Sequence, residues 1–185
     1  MKNIIIALVF GVVLGVVPGM AYAEKIYNDN VDKIMKKNEL LVDAEGVPLN
    51  GILKTHDDNG VLKTEGEYKN GLLDGVFQRY HDNGKLMVKG DFKDGYLNGL
   101  FKWYYESGEL MKEENYQMGL PDGLWKGYRP NGSLAWERFY KDAQPEGWKM
   151  YDENGKLQRE ASYKNGKLEG IYTYHENGQI DRRLL

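Results

Sequence analysis

The chain has 185 residues, a formal charge of −3 and 29% charged side chains of both signs. That length suits one domain, and the mixed charge offers no basic face to nucleic acid. Cysteine is absent, which excludes disulfides and lipid attachment to a cysteine, while 14 tyrosines and recurring apolar residues exclude disorder.

Residues 1–23 read as a signal peptide. Lys2 gives a positive start, "IIIALVFGVVLGVV" (4–17) is an apolar run, and Ala21-Tyr22-Ala23 puts small residues at a cleavage site. As a helix that run rises about 21 Å, short of a hydrocarbon core of roughly 30 Å, so cleavage is favoured over a retained anchor. The expected product begins at Glu24 and is exported, to the periplasm or beyond the cell. Residues 24–50 then form an N-terminal arm and a degenerate capping half-repeat. "EKIYNDNVDKIMKK" (24–37) suits either a short helix or an extended arm. In "NELLVDAEGVPLNG" (38–51), Leu40, Val42 and Ala44 alternate ahead of a turn.

Residues 51–185 are a repeat array. "YHDNGKL" (80–86) returns as "YYESGEL" (104–110), "YRPNGSL" (128–134), "YDENGKL" (151–157) and "YHENGQI" (174–180), with a weaker "HDDNGVL" at 56–62. The first intervals are 24 residues and the last two are 23. Asn or Ser before Gly60, Gly84, Gly108, Gly132, Gly155 and Gly178 predicts a tight type I′ turn. A second series, Gly51, Gly75, Gly99, Gly123, Gly147 and Gly170, predicts a looser turn half a unit away. Connections this short join antiparallel neighbours. The expected fold is therefore all-β: an elongated, single-layer antiparallel meander of about six hairpins, each stacked on its neighbours. "IDRRLL" begins a strand that stops early, with Arg182 and Arg183 discouraging edge pairing.

Units such as "GLFKWYYESGELMKEENYQMGLPDG" and "YKNGKLEGIYTYHENGQI" resemble MORN repeats, in the variant of bacterial YwqK-type antitoxin proteins. The resemblance covers about 51–180 and implies a thin sheet with glycines at turns and stacked aromatics. The lipid-kinase activity that accompanies MORN repeats in some larger proteins does not carry over, because this chain has neither a kinase domain nor a Gly-rich phosphate loop.

His56, His81 and His175 stand in different units, too far apart to converge on a metal, and read as solvated turn residues. Asp74, Asp122, Glu146 and Glu169, with Asn50 and Asn98, read as turn residues along one edge; successive members roughly 10 Å apart cannot share an ion. No nucleophile–base set stands out, so a non-enzymatic protein without a cofactor is expected.

Alternation places Val76, Tyr80, Leu86 and Phe92 on one face, and Phe77, Met87, Phe101, Trp103, Met111, Trp125 and Phe139 on the other. The second set is either a partner-binding patch or a stack that stiffens the sheet. The leading expectation is an exported scaffold that binds a protein, and the resemblance makes that partner a toxin. Alternatives are a secreted or surface protein contacting a host cell or membrane, and a structural spacer. The acidic net charge gives no support to attraction by anionic lipid.

Overall fold

The computed structural model of the protein describes residues 25–29 and 32–184; the segment read as a signal peptide lies outside the described residues. Among the described residues the regular structure is entirely β. Thirteen strands follow one another in one sheet, from Ile26–Asn28 at one edge to Ile180–Leu184 at the other. From Gly51 onward each pairs antiparallel with the next. At about 4.8 Å per strand, the ladder runs roughly 60 Å. This is the expected meander.

The turns exchange the roles assigned to them from sequence. At the Asn-Gly loops only the glycine takes positive φ: Gly60 is at +79°, and the Gly60 and Asp57 N–H groups donate to Asp57 O and Val61 O. That is a type I turn closed by a glycine bulge, a three-residue loop. The type I′ turns lie at Asn70-Gly71, Asp94-Gly95, Met118-Gly119, Asp142-Ala143 and Asn165-Gly166, where both residues have positive φ. Met118 and Ala143 break the Asn-Gly signature there, which hides the series from a motif search. The glycines assigned to a looser turn sit within or at the start of strands instead. Gly75, at φ +125°, stands where two hydrogen-bonded partners of one strand face a longer stretch of the next.

A second irregularity recurs beside every three-residue loop. Arg79 pairs with Val88 while Tyr80 pairs with Leu86, so Met87 is left over as a bulge. The same shift occurs at Thr55/His56, Leu110/Lys112, Gly127/Tyr128, Met150/Tyr151 and Thr173/Tyr174. A one-residue bulge reverses the alternation of side chains beyond it. Leu86 and Phe92, placed on one face by simple alternation, therefore point to opposite faces.

The N-terminal segment is an extended arm and not a helix. Ile26, Tyr27 and Asn28 pair in parallel with Ile52, Leu53 and Lys54. Met35–Lys37 and Leu40–Val42 form a small hairpin of their own. Tyr27, Leu49 and Leu53 are buried together, with Ile34, Leu41 and Tyr68 packed against them. The Gly71 N–H donates to Leu49 O, and Gly71 O accepts from the Leu41 N–H. The half-unit thus lies against the first repeat.

Candidate partner-binding face

The paired residues of the sheet fall into rows, because directly opposed side chains share a face. On the first face one row carries Lys54, Glu65, Gln78, Lys89, Lys102, Glu113, Lys126, Glu137, Lys149 and Glu160 in strand order. Lys54–Glu65 and Lys102–Glu113 are ion pairs at 3.4 Å. The repeat tyrosines close the row: Tyr128 and Tyr151 donate to Glu113 at 2.9 Å and Glu137 at 2.7 Å, and Tyr174 donates to Glu160. Burial first, then the neighbouring carboxylate, pushes the Tyr128 and Tyr151 phenols up to about 12; at Tyr174 the Glu160 hydrogen bond leads. This face is a self-satisfied lattice of charges and phenols.

The second face is aromatic. Phe77, Phe92, Phe101 and Tyr116 meet edge to face in sequence, at centroid distances of 5.6, 5.5 and 5.6 Å. Trp125 and Tyr140 extend the ladder at 5.1 and 4.8 Å. Such contacts add about 0.5–1.5 kcal/mol each beyond burial, which a one-layer sheet with few buried side chains requires. Glycines make the room: a Cβ on Gly90 would lie 2.4 Å from the Phe101 ring, and one on Gly127 would lie 2.1 Å from the Trp136 indole. Burial pushes the Tyr116 phenol up to about 12, with the Glu114 carboxylate adding to it.

Beyond the ladder this face opens into a groove of about 350 Å³ lined by Trp136, Arg138, Tyr140, Pro145, Trp148 and Met150. Trp136 opposes Met150, and Arg138 opposes Trp148. The Arg138 guanidinium lies 5.0 Å from the Trp136 ring centroid, and Met150 is 44% exposed.

The patch expected from sequence divides. Phe77, Phe101 and Trp125 are alternate members of the stacked ladder, where Phe101 is 2% exposed and Trp125 Nε1 donates to Asn115 O at 2.7 Å. Trp103 shares their face beside Val88, with the Lys112 ammonium 4.5 Å from its ring centroid. Met87 and Met111 stand at bulges, outside the paired rows. Phe139 is on the opposite face, paired with Leu124 and Gly147. Phe92, expected opposite Phe77, meets it instead. The bulges explain both corrections.

Trp136, Trp148 and Met150 were missed for a related reason. Trp148 follows a second-series glycine, as Leu124 does, yet it pairs with Arg138 just as Trp125 does. The 23-residue interval has lost one residue at this bulge, so the tryptophan after Gly147 turns to the aromatic face. The shortened interval was the available signal.

The histidines make local contacts: His56 Nδ1 lies 2.8 Å from Asp29, His81 Nε2 2.9 Å from Tyr104 O, and His175 Nε2 3.2 Å from Asp181. On the other edge Asn50 and Asp74 accept from the Asn70 and Asp94 N–H groups, one turn holding the next.

A sheet of stacked hairpins, one face laced by charge and the other by aromatics, defines a repeat scaffold. The family model described as MORN repeat variant matches residues 49–70, 73–94, 97–118, 121–142 and 148–165, more than half of the chain, and the chain belongs to this family. Each window falls on one hairpin of the sheet, the last of them starting four residues into its first strand. Comparison with curated proteins gives no match. Among solved structures, the chain is similar to a mutant of S. aureus TarM in complex with fondaparinux, alpha-GlcNAc-glycerol and UDP, at 8% identity and a TM-score of 0.33. That likeness covers 66% of this chain and 21% of the other, so it spans about a fifth of that protein and carries no argument.

Proposed function

We propose that this protein is a non-enzymatic, exported scaffold that binds a partner protein across its aromatic face, in the manner of an antitoxin or immunity protein. The observation that carries the binding is the groove between Trp136, Arg138, Trp148 and Met150, which lies beyond the self-stacked ladder. Tryptophan, tyrosine and arginine are the residues in which interface energy concentrates. Export rests on residues 1–23, and the toxin partner rests on the YwqK-type resemblance of the repeats. The test is capture from envelope extracts with the full chain and with a Trp136→Ser/Trp148→Ser variant. Recovery of one partner by the wild type, lost in the variant at an unchanged melting temperature, supports the reading. A second reading, a structural spacer, is favoured by the continuous stack from Phe77 to Tyr140. It prevails if no partner is recovered and the variant melts several degrees lower.

A further inference from the structure

We infer that the aromatic face receives an acidic, extended segment of a partner protein, lying across the strands and held by a line of arginines. This rests on the protein-binding reading and adds the chemistry of the partner and the place where it lies.

The two faces differ in charge balance. One row of the aromatic face runs Thr64, Arg79, Val88, Trp103, Lys112, Gly127, Trp136, Met150, Arg159, Thr173, Arg182 by consecutive pairing. The adjacent row holds Phe77, Phe101, Glu114, Trp125, Arg138 and Trp148. The third is uncharged, pairing Phe92 with Leu97, Tyr116 with Pro121 and Tyr140 with Pro145. The acidic side chain within these rows is Glu114, which is 5% exposed and bound to Lys112 at 2.7 Å, and Asp181, at the bulge beside Arg182, accepts from Thr173 Oγ1. Arg79, Arg138, Arg159 and Arg182 are all exposed. A chain of net charge −3 therefore keeps one face positive. The long row of its opposite face carries five lysines against four glutamates and has little net charge to offer.

Arginine is the informative choice. Its planar fork binds carboxylates in bidentate fashion and stacks on aromatic rings, whereas lysine is a mobile point charge. Arg138 is already stacked on Trp136, which itself lies across Gly127. Its orientation is set before a ligand arrives, which lowers the ordering cost of binding.

Spacing selects an extended peptide. Arg159 and Arg182 share a row and stand two strands apart, about 9.6 Å; Arg138, two strands further on, belongs to the adjacent row but brings its guanidinium to the Trp136 ring of that same row. A polyproline II chain rises about 3.1 Å per residue and returns to the same side every third residue, a step of about 9.3 Å. Acidic side chains at every third position would meet successive arginines. The intervening residues would lie over Trp148 and Met150, as such chains do in aromatic-lined grooves.

The probe is a peptide of Pro-Pro-Glu repeats about fifteen residues long, with Pro-Pro-Gln and Pro-Pro-Lys counterparts. Each is titrated into the full chain and followed by tryptophan fluorescence at low and high salt. The expected result is saturable binding of the glutamate peptide alone, weakened by salt and reduced about tenfold or more in Arg138→Gln/Arg159→Gln. Arg159→Gln/Arg182→Gln leaves the Trp136 contact intact and should lose a similar factor, with both variants melting like the wild type. Failure of the glutamate peptide to bind, equal binding of the glutamine peptide, or full affinity in both variants overturns the inference. So does arginine-dependent binding to phosphatidylserine vesicles with none to the peptide, which would make this a lipid-facing surface. A partner captured equally well by both arginine variants would leave the protein-binding reading standing and sink this one alone.

Discussion

Phe101 is nearly buried in a sheet that has no second layer among the described residues, because Gly90 surrenders its own side-chain space beneath the ring. Gly90→Ala would drive a methyl to 2.4 Å from the ring, a collision that must displace Phe101 and its edge contacts with Phe92 and Tyr116. The expected loss is about 1–3 kcal/mol in urea unfolding; an unchanged midpoint would mean that the ring is not seated there. A different residue-scale effect arises on the charged face. The Tyr128, Tyr151 and Tyr174 phenols are pushed up to about 12, whereas in the unfolded chain they titrate near 10. Because the folded values are raised, the stabilisation is fully present below about pH 10 and disappears as pH rises through about 12. The melting temperature should therefore show no tyrosine-linked decline before about pH 10, then fall, with phenolate absorbance rising alongside it. An earlier fall coinciding with phenolate formation would contradict the raised values. The aromatic and aliphatic positions of each unit were legible in the sequence, but the face of each was not, since one bulged residue per hairpin reverses the alternation.

The hairpin is the element that the sequence describes most fully, and also the one whose two turns were interchanged. Asn-Gly serves a three-residue loop as readily as a type I′ turn, so the dipeptide locates a turn without specifying its kind. The type I′ sites are defined by backbone, and that makes two of them informative. Ala143 sits at φ +60°, a conformation that disfavours any residue with a Cβ. Gly119 is its counterpart one unit earlier, at φ +81°, where a Cβ would come 3.2 Å from the Tyr96 ring. Opposite signs follow. Ala143→Gly should raise stability by about 0.5–1 kcal/mol, the relieved strain being partly offset by the freer unfolded chain. Gly119→Ala should lower it by about 1–2 kcal/mol. Denaturation midpoints of the pair decide the point: if the assignment of the two turns were reversed, neither substitution would carry these signs. The N-terminal element was half legible. Alternation in 38–50 marked the cap, whereas residues 24–37 gave no period, because the strand that pairs there is three residues long.

At the scale of the whole molecule, the 24-residue interval is a mechanical quantity: two strands, one three-residue loop, one type I′ turn and the bulges that set their faces. Removing Gly99–Asp122 takes out two neighbouring strands and joins Asn98 to Gly123, so strand direction and side-chain faces are preserved on both sides of the cut. The aromatic ladder would also close, because Phe101 and Tyr116 leave together and Trp125 comes to the place beside Phe92. Removing only Gly99–Glu109 deletes one strand and its loop, which leaves every later strand running the wrong way for its partner. In an array held by nearest-neighbour contacts, the first deletion subtracts one unit and two interfaces while creating a new one of the same kind. It should therefore give a shorter protein with a native-like β circular dichroism spectrum and a cooperative melt. The half-unit deletion should melt broadly, or not fold at all beyond Tyr96–Leu97. Equal melts for the two deletions would refute the stacked-hairpin account of stability. A full-period deletion that fails to fold would place the stabilising contacts in a core shared by distant units, for which this sheet, with its buried cluster at Tyr27, Leu49 and Leu53, provides no other centre among the described residues.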